Sequence, residues 1–225
     1  MNDRLMYIDN LRGVAFIFMI IQHIVYFYDV SNNYKTSYAK NNLIETSGTI
    51  SRTLFILLAG YSVYMAWKKN KKNFIKKRFY RSIEIFCHAL VISLVTYIAY
   101  PSMFIRFGIL HFLSLATFIL SFLAPYNIAT IIFFIISISI TYPQINNTID
   151  TITGASVNYN MMDWFPLNKW IPVILCGMII AQNIDLSILN NIDILKNKNI
   201  LTILGKNSLN LYTLHIILLI IYYKK

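Results

Sequence analysis

Seven stretches of the chain are almost unbroken runs of apolar residues, at about 11 to 29, 52 to 67, 83 to 100, 108 to 124, 128 to 142, 170 to 182 and 205 to 223. Segments rich in Asn, Ser, Thr, Lys and Tyr separate them. A helix that is apolar all round is buried in lipid or among other helices, and about 20 such residues cross a bilayer. The pattern therefore predicts an all-α fold, a polytopic membrane bundle of about seven transmembrane helices. Seven helices take roughly 140 residues, which leaves only short connections and makes residues 1–225 a single integral-membrane domain. Several stretches fall short of 18 residues; Tyr142, Pro143, Trp164 and Trp170 flank the fifth and sixth and can anchor or extend them at the interface. No internal repeat is visible. The first stretch leads into a polar loop rather than a small-residue cleavage site, so it reads as a retained helix.

Composition sharpens this picture. The 225 residues are 57% hydrophobic and 13% charged, whereas soluble domains run near half apolar and a quarter charged. An aromatic content of 15% excludes a disordered chain, and two cysteines, Cys87 and Cys176, exclude a disulfide scaffold. Neither cysteine has a metal-ligand neighbour, so no metal is expected. The net charge of +11 fits cytoplasmic loops better than a nucleic-acid partner. Eight cations and no acid lie between Lys68 and Arg81, in KKNKKNFIKKRFYR, which puts that loop and the amino terminus in the cytosol. Alternation then leaves thirteen Lys and Arg inside and seven outside, with Arg4, Lys196 and Lys198 among the inner set and Lys225 among the outer. Anionic membrane lipids are natural partners for the inner lysines, and a homo-oligomer stays open.

Ionisable groups at membrane depth cost about 2.5 to 3.5 kcal/mol or more and mark function or a partner. His23 follows Arg12 by eleven residues, roughly 16 Å along a helix, near mid-membrane. Asp29 lies near the outer end of the same helix, about 120° away around the axis, so the two are not a dyad. His111 opens the fourth stretch, just after Arg106, and His215 sits a third of the way into the seventh. For each histidine, packing between helices is an equal alternative to chemistry. Glu84 and His88 are four apart and Asp9 and Arg12 three apart, spacings that satisfy both members on one helix face. Arg78 and Arg81 form an RxxR pair that would present two guanidinium groups on one side of a short helix, suited to phosphate oxygens. Asn146, Asn147 and Thr148 form a glycosylation sequon.

Five blocks then become readable in order: YIDNLRGVAFIFMIIQH (7–23), RTLFILLAGYS (52–62), IRFGILHFLSL (105–115), DWFPLNKWIPVILCGMIIAQ (163–182) and LGKNSLNLYTLH (204–215). Together they resemble the heparan-α-glucosaminide N-acetyltransferase catalytic-domain family of multi-pass membrane proteins. The first block also resembles the wider superfamily of membrane acyltransferases with a His on the first helix and a cytosolic RxxR element. The resemblance implies transfer of an acetyl group from cytosolic acetyl-CoA to an amino-sugar, glycan or lipid acceptor across the membrane. On it, His23, His111 and Asp29 are the catalytic candidates. Arg12, Arg52 (opening the second helix), Arg78, Arg81, Arg106 and His215 are those for binding acetyl-CoA. Lysosomal members carry a catalytic His in the outer loop after the first helix; residues 30–51 contain none, and His23 followed by Asp29 is closer to the bacterial-type pattern. O-acylation of a polysaccharide or lipid is the alternative enzyme reading. A transporter or silent scaffold is the non-enzymatic one.

Overall fold

The computed structural model of the protein describes residues 6–140, 147–154, 161–184, 186, 192 and 197–224. Among them there are helices and no strand. In chain order α1 spans Met6–Ser31, α2 Asn42–Lys69, α3 Phe74–Ala99, α4 Ile109–Ser121, α5 Asn127–Ser139, α6 Asn147–Thr153, α7 Leu167–Asn183, α8 Ile200–Lys206 and α9 Ser208–Tyr223, with a 3₁₀ turn over Tyr38–Lys40. They form two compact units, positions 1–55 with 185–225 and positions 56–184. Arg4, Tyr142, Pro143, Asn146, Lys196 and Lys225, used above for topology, interface and sequon, lie outside the described residues.

Each of the seven apolar stretches contains a helix, and three differences from the expected limits bear on the site. The second helix begins at Asn42, ten residues early, because the Asn41 carbonyl and side chain accept from Glu45 N and Leu43 N and start a helix through a polar run. Arg52 is therefore inside α2, not at its opening. Likewise α3 begins at Phe74, so the short helix expected to carry Arg78 and Arg81 is, with Lys76 and Lys77, the first turns of the long apolar helix itself. The last stretch is broken at Asn207, where α8 and α9 meet at 84°.

Helices α1, α2 and α3 are each long and apolar enough to cross a membrane, and the bent α8–α9 pair passes the same test taken together. At 26 residues α1 is about 39 Å long, more than the hydrocarbon thickness, while the 13-residue α4 and α5 reach only about 20 Å. Outward-facing side chains agree with a lipid solvent. Leu90, Leu94, Tyr97 and Ile98 on α3 and Ile128, Ile132, Phe133, Ile135 and Ile138 on α5 are exposed, up to 76% at Ile128. In water so large an apolar surface demands a partner; in a bilayer the acyl chains cover it.

Two close crossings hold the helices. In the first unit α1 crosses α8 where a Cβ on Gly13 would meet the Leu201 backbone carbonyl and one on Gly205 the Asp9 carbonyl. Beside it the buried Asn10 takes a 2.5 Å hydrogen bond from Thr202 Oγ1 and donates to the Asn197 carbonyl at 3.3 Å. In the second unit α2 crosses α7 in the same reciprocal way, Gly60 against the Ile174 carbonyl and Gly177 against that of Leu57. Close backbone approach by small residues is how helices associate where lipid removes the hydrophobic drive. Ser82 and Ser114 clasp α3 to α4, each hydroxyl donating to the other's carbonyl at 2.7 and 2.9 Å.

Candidate functional site

In the first unit, Phe16, Met19, His23 and Phe27 recur at helical spacing on α1, and the three apolar members are buried. That inward stripe carries the imidazole to α9. There His23 Nδ1 lies 2.9 Å from His215 Nε2, although 192 positions separate the residues. The rings are nearly parallel, at 7°, with centroids 5.2 Å apart. The N···N distance plus two ring radii accounts for that separation, so the rings meet edge to edge in line rather than face to face. His215 Nδ1 is 3.0 Å from the Leu211 carbonyl. Phe16 packs edge-on to His215, and Tyr212 edge-on to both imidazoles. Arg52 folds back along α2, donating from Nε to the Gly48 carbonyl at 3.0 Å, and its charge acts on the His23 ring. Arg12 pairs with the buried Asp9 at 3.3 Å, one turn apart.

Asp29 does not meet His23. Only 2% exposed, it accepts from Thr36 Oγ1 at 2.7 Å, Ala39 N at 2.8 Å and Tyr38 N at 3.3 Å, tying down the chain reversal after α1. Asn33 and Tyr34 turn the chain there with φ of 51° and 55°, the left-handed region that non-glycine residues seldom adopt. Three donors converging on one carboxylate hold this turn closed. Asp29→Ala is expected to destabilise the protein by about 2 kcal/mol or more, because hydrogen bonds to charged groups are the stronger kind. A thermal melt together with limited proteolysis at residues 32–41 checks this; an unchanged melting temperature and an uncut loop contradict it.

In the second unit, Arg81 forms a 2.8 Å ion pair with Glu84 one turn on, and both are exposed. Arg78 is half-buried, its Nε is enclosed without a hydrogen-bond partner among the described residues, and the Arg81 charge acts on it. Near the start of α4, Gly108 N donates to His111 Nδ1 at 3.3 Å, and His111 Nε2 meets Ser93 Oγ at 3.3 Å while that hydroxyl donates to the Ile105 carbonyl at 2.7 Å. Both nitrogens of His111 are thus occupied, Nδ1 in capping the start of α4 and Nε2 in joining α4 to α3. Arg106 is exposed and lies over the Phe104 ring at 5.1 Å. Asp163, not among the residues expected at the site, accepts through its carboxylate from Ile109 N at 3.1 Å. With Phe165 N donating to the Phe107 carbonyl at 3.0 Å, it joins the DWFP block to the FGILH block. Its place at the head of one apolar block and 54 positions from the other gave no periodic signal.

No group of three or more metal-ligating side chains occurs among the described residues. Helices of bilayer length, an imidazole pair within one unit and two neighbouring guanidiniums at one end of α3 define a helical membrane protein equipped for polar chemistry. The chain belongs to the heparan-alpha-glucosaminide N-acetyltransferase catalytic family, whose sequence pattern matches residues 4–217, and it is accordingly a transferase-type membrane enzyme. No curated protein and no solved structure matches the chain.

Proposed function

We propose that the protein is a membrane acetyltransferase of about seven passes that takes the acetyl group of cytosolic acetyl-CoA and delivers it to an amino-sugar or glycan acceptor on the opposite side. The observation that carries this reading, beyond family membership, is His23: an imidazole in the middle of a 26-residue apolar helix, held by a second imidazole. Such a group is costly in a membrane unless used. As general base it takes the proton of the acceptor amine or hydroxyl while the nitrogen or oxygen attacks the thioester carbonyl. The carbon–sulfur bond then breaks and the proton passes to the departing thiolate, giving the acetylated acceptor and free CoA. Arg78, Arg81 and the nearby lysines suit the anionic end of the donor; the enclosed Arg78 Nε, without a hydrogen-bond partner among the described residues, is a donor with capacity for a phosphate oxygen. Their place at the cationic start of α3 supports a cytosolic entry. Asp29 and His111 serve as supports for the outer turn and for the start of α4.

Replacing Arg78 and Arg81 together by Gln is expected to raise the apparent KM for acetyl-CoA about tenfold or more, with little change in that for the acceptor. Lysine at both positions restores only part, since an ammonium lacks the guanidinium fork. An unchanged KM removes these arginines from donor binding. Orientation is tested by Asn70→Cys in a protein whose Cys87 and Cys176 are replaced by Ser. Labelling of intact cells with an impermeant maleimide should fail until the membrane is opened. Labelling from outside inverts the topology and takes the donor and acceptor assignments with it.

A further inference from the structure

We propose that His215 is a positioning residue: it fixes the proton of His23 on Nδ1 and so makes His23 Nε2 the single basic nitrogen of the pair, an inference that rests on His23 acting as the base. The argument follows from what each partner can do. The Leu211 carbonyl 3.0 Å from His215 Nδ1 can only accept, so that nitrogen carries a hydrogen. In a neutral ring the other nitrogen, Nε2, then holds a lone pair. The 2.9 Å contact to His23 Nδ1 needs one hydrogen, and His23 supplies it. His23 Nε2 is left with its lone pair and, among the described residues, with no hydrogen bond. A carbonyl on α9 thus sets the protonation of a ring on α1 through two imidazoles in line.

Proton bookkeeping gives the arrangement its use. When the acceptor loses its proton to His23 Nε2, the resulting imidazolium keeps its Nδ1 hydrogen on His215 Nε2, which helps carry the charge. The same Nε2 hydrogen later goes to the CoA sulfur, and the ring returns to its first tautomer. Phe16 and Tyr212, edge-on to the rings, keep both planes aligned. Without an acceptor at position 215 a free choice of tautomer returns, and every His23 protonated at Nε2 offers a donor where a base is needed. The logic is that of the carboxylate orienting the histidine in a serine-protease triad, with a neutral ring in its place.

The test uses full-length protein labelled with ¹⁵N-histidine in detergent micelles at mildly alkaline pH, the His23 signals being assigned by their loss in His23→Gln. Wild type should show a protonated Nδ1 and a lone-pair Nε2 at His23. His215→Met should give a mixture or the reverse, and His215→Gln, whose amide oxygen accepts, should retain the wild-type form. In turnover, His215→Met should lower kcat about 100-fold with the KM for acetyl-CoA within about twofold, and His215→Gln should recover most of the loss. A wild-type His23 protonated at Nε2, or a tautomer unmoved in His215→Met, overturns the proposal without reference to activity. The expected tautomer combined with full turnover in His23→Ala upholds the positioning by His215 and removes the base role instead.

Discussion

His23→Ala is expected to lower acetyl transfer by a factor of roughly 10² to 10⁴, the usual contribution of a positioned general base. The side chain lies on the inward stripe of α1, and its replacement removes the nitrogen proposed to take the acceptor's proton together with the hydrogen bond to His215 Nε2. Stability should suffer little by comparison. His215 keeps its bond to the Leu211 carbonyl, and Phe16 and Tyr212 still pack against it. The variant should therefore run as a monodisperse species in size-exclusion chromatography and bind acetyl-CoA as wild type does. His23→Gln restores a polar partner for His215 but no base, so it should be as inactive as the alanine variant. Activity in either variant near the wild-type level removes His23 from the chemistry.

A second large effect belongs to the helix crossings. Gly177→Leu should abolish the folded protein, because the first carbon of any side chain there overlaps the Leu57 backbone carbonyl, which cannot rotate away. Overpacking ordinarily costs about 1 to 3 kcal/mol, relieved by side-chain movement. Here relief requires two helix backbones to separate, and the reciprocal contact of Gly60 with Ile174 goes with it. A loss above about 3 kcal/mol follows, a large part of the stability of an ordinary domain. Gly48→Ala is the control. Its new carbon would meet the flexible Gln22 side chain at 2.8 Å, which can turn aside, so a melt close to wild type is expected. A Gly177→Leu protein that melts like the Gly48→Ala protein contradicts the crossing account.

Hydropathy places the apolar helices, since each such run marks itself whatever it packs against, but it gives no sign of α6, which lies in a polar segment. Their ends are less legible. The polar segment 45–51 reads as a loop yet is helical, and the cationic segment 76–81, whose RxxR pair suggests only a short helix, runs on into α3, because backbone hydrogen bonding continues through polar residues once a helix is capped or extended into the interface. The break at Asn207 carries no Pro or Gly at its own position and shows only in the 84° angle. His23 and Asp29 are correctly read as facing different ways on one helix, a matter of 100° per residue. What each faces is tertiary. No local period links His23 to His215 across 192 positions, or Asp29 to the amides of Tyr38 and Ala39. The family is legible in the sequence, because five blocks in order resemble it and its pattern matches residues 4–217.

The central claim is acetyl transfer through His23, and release of free CoA thiol tests it most directly. Purified wild-type and His23→Ala proteins in the same detergent are given acetyl-CoA with and without glucosamine-terminated glycans, and the thiol is followed by a colour reagent. Wild type should release thiol in an acceptor-dependent manner, with one acetyl group on the glycan for each thiol, and His23→Ala should release it at least 100-fold more slowly. Equal release by the two proteins, or acetyl-CoA left intact by wild type in the presence of the glycan acceptor, would contradict the account.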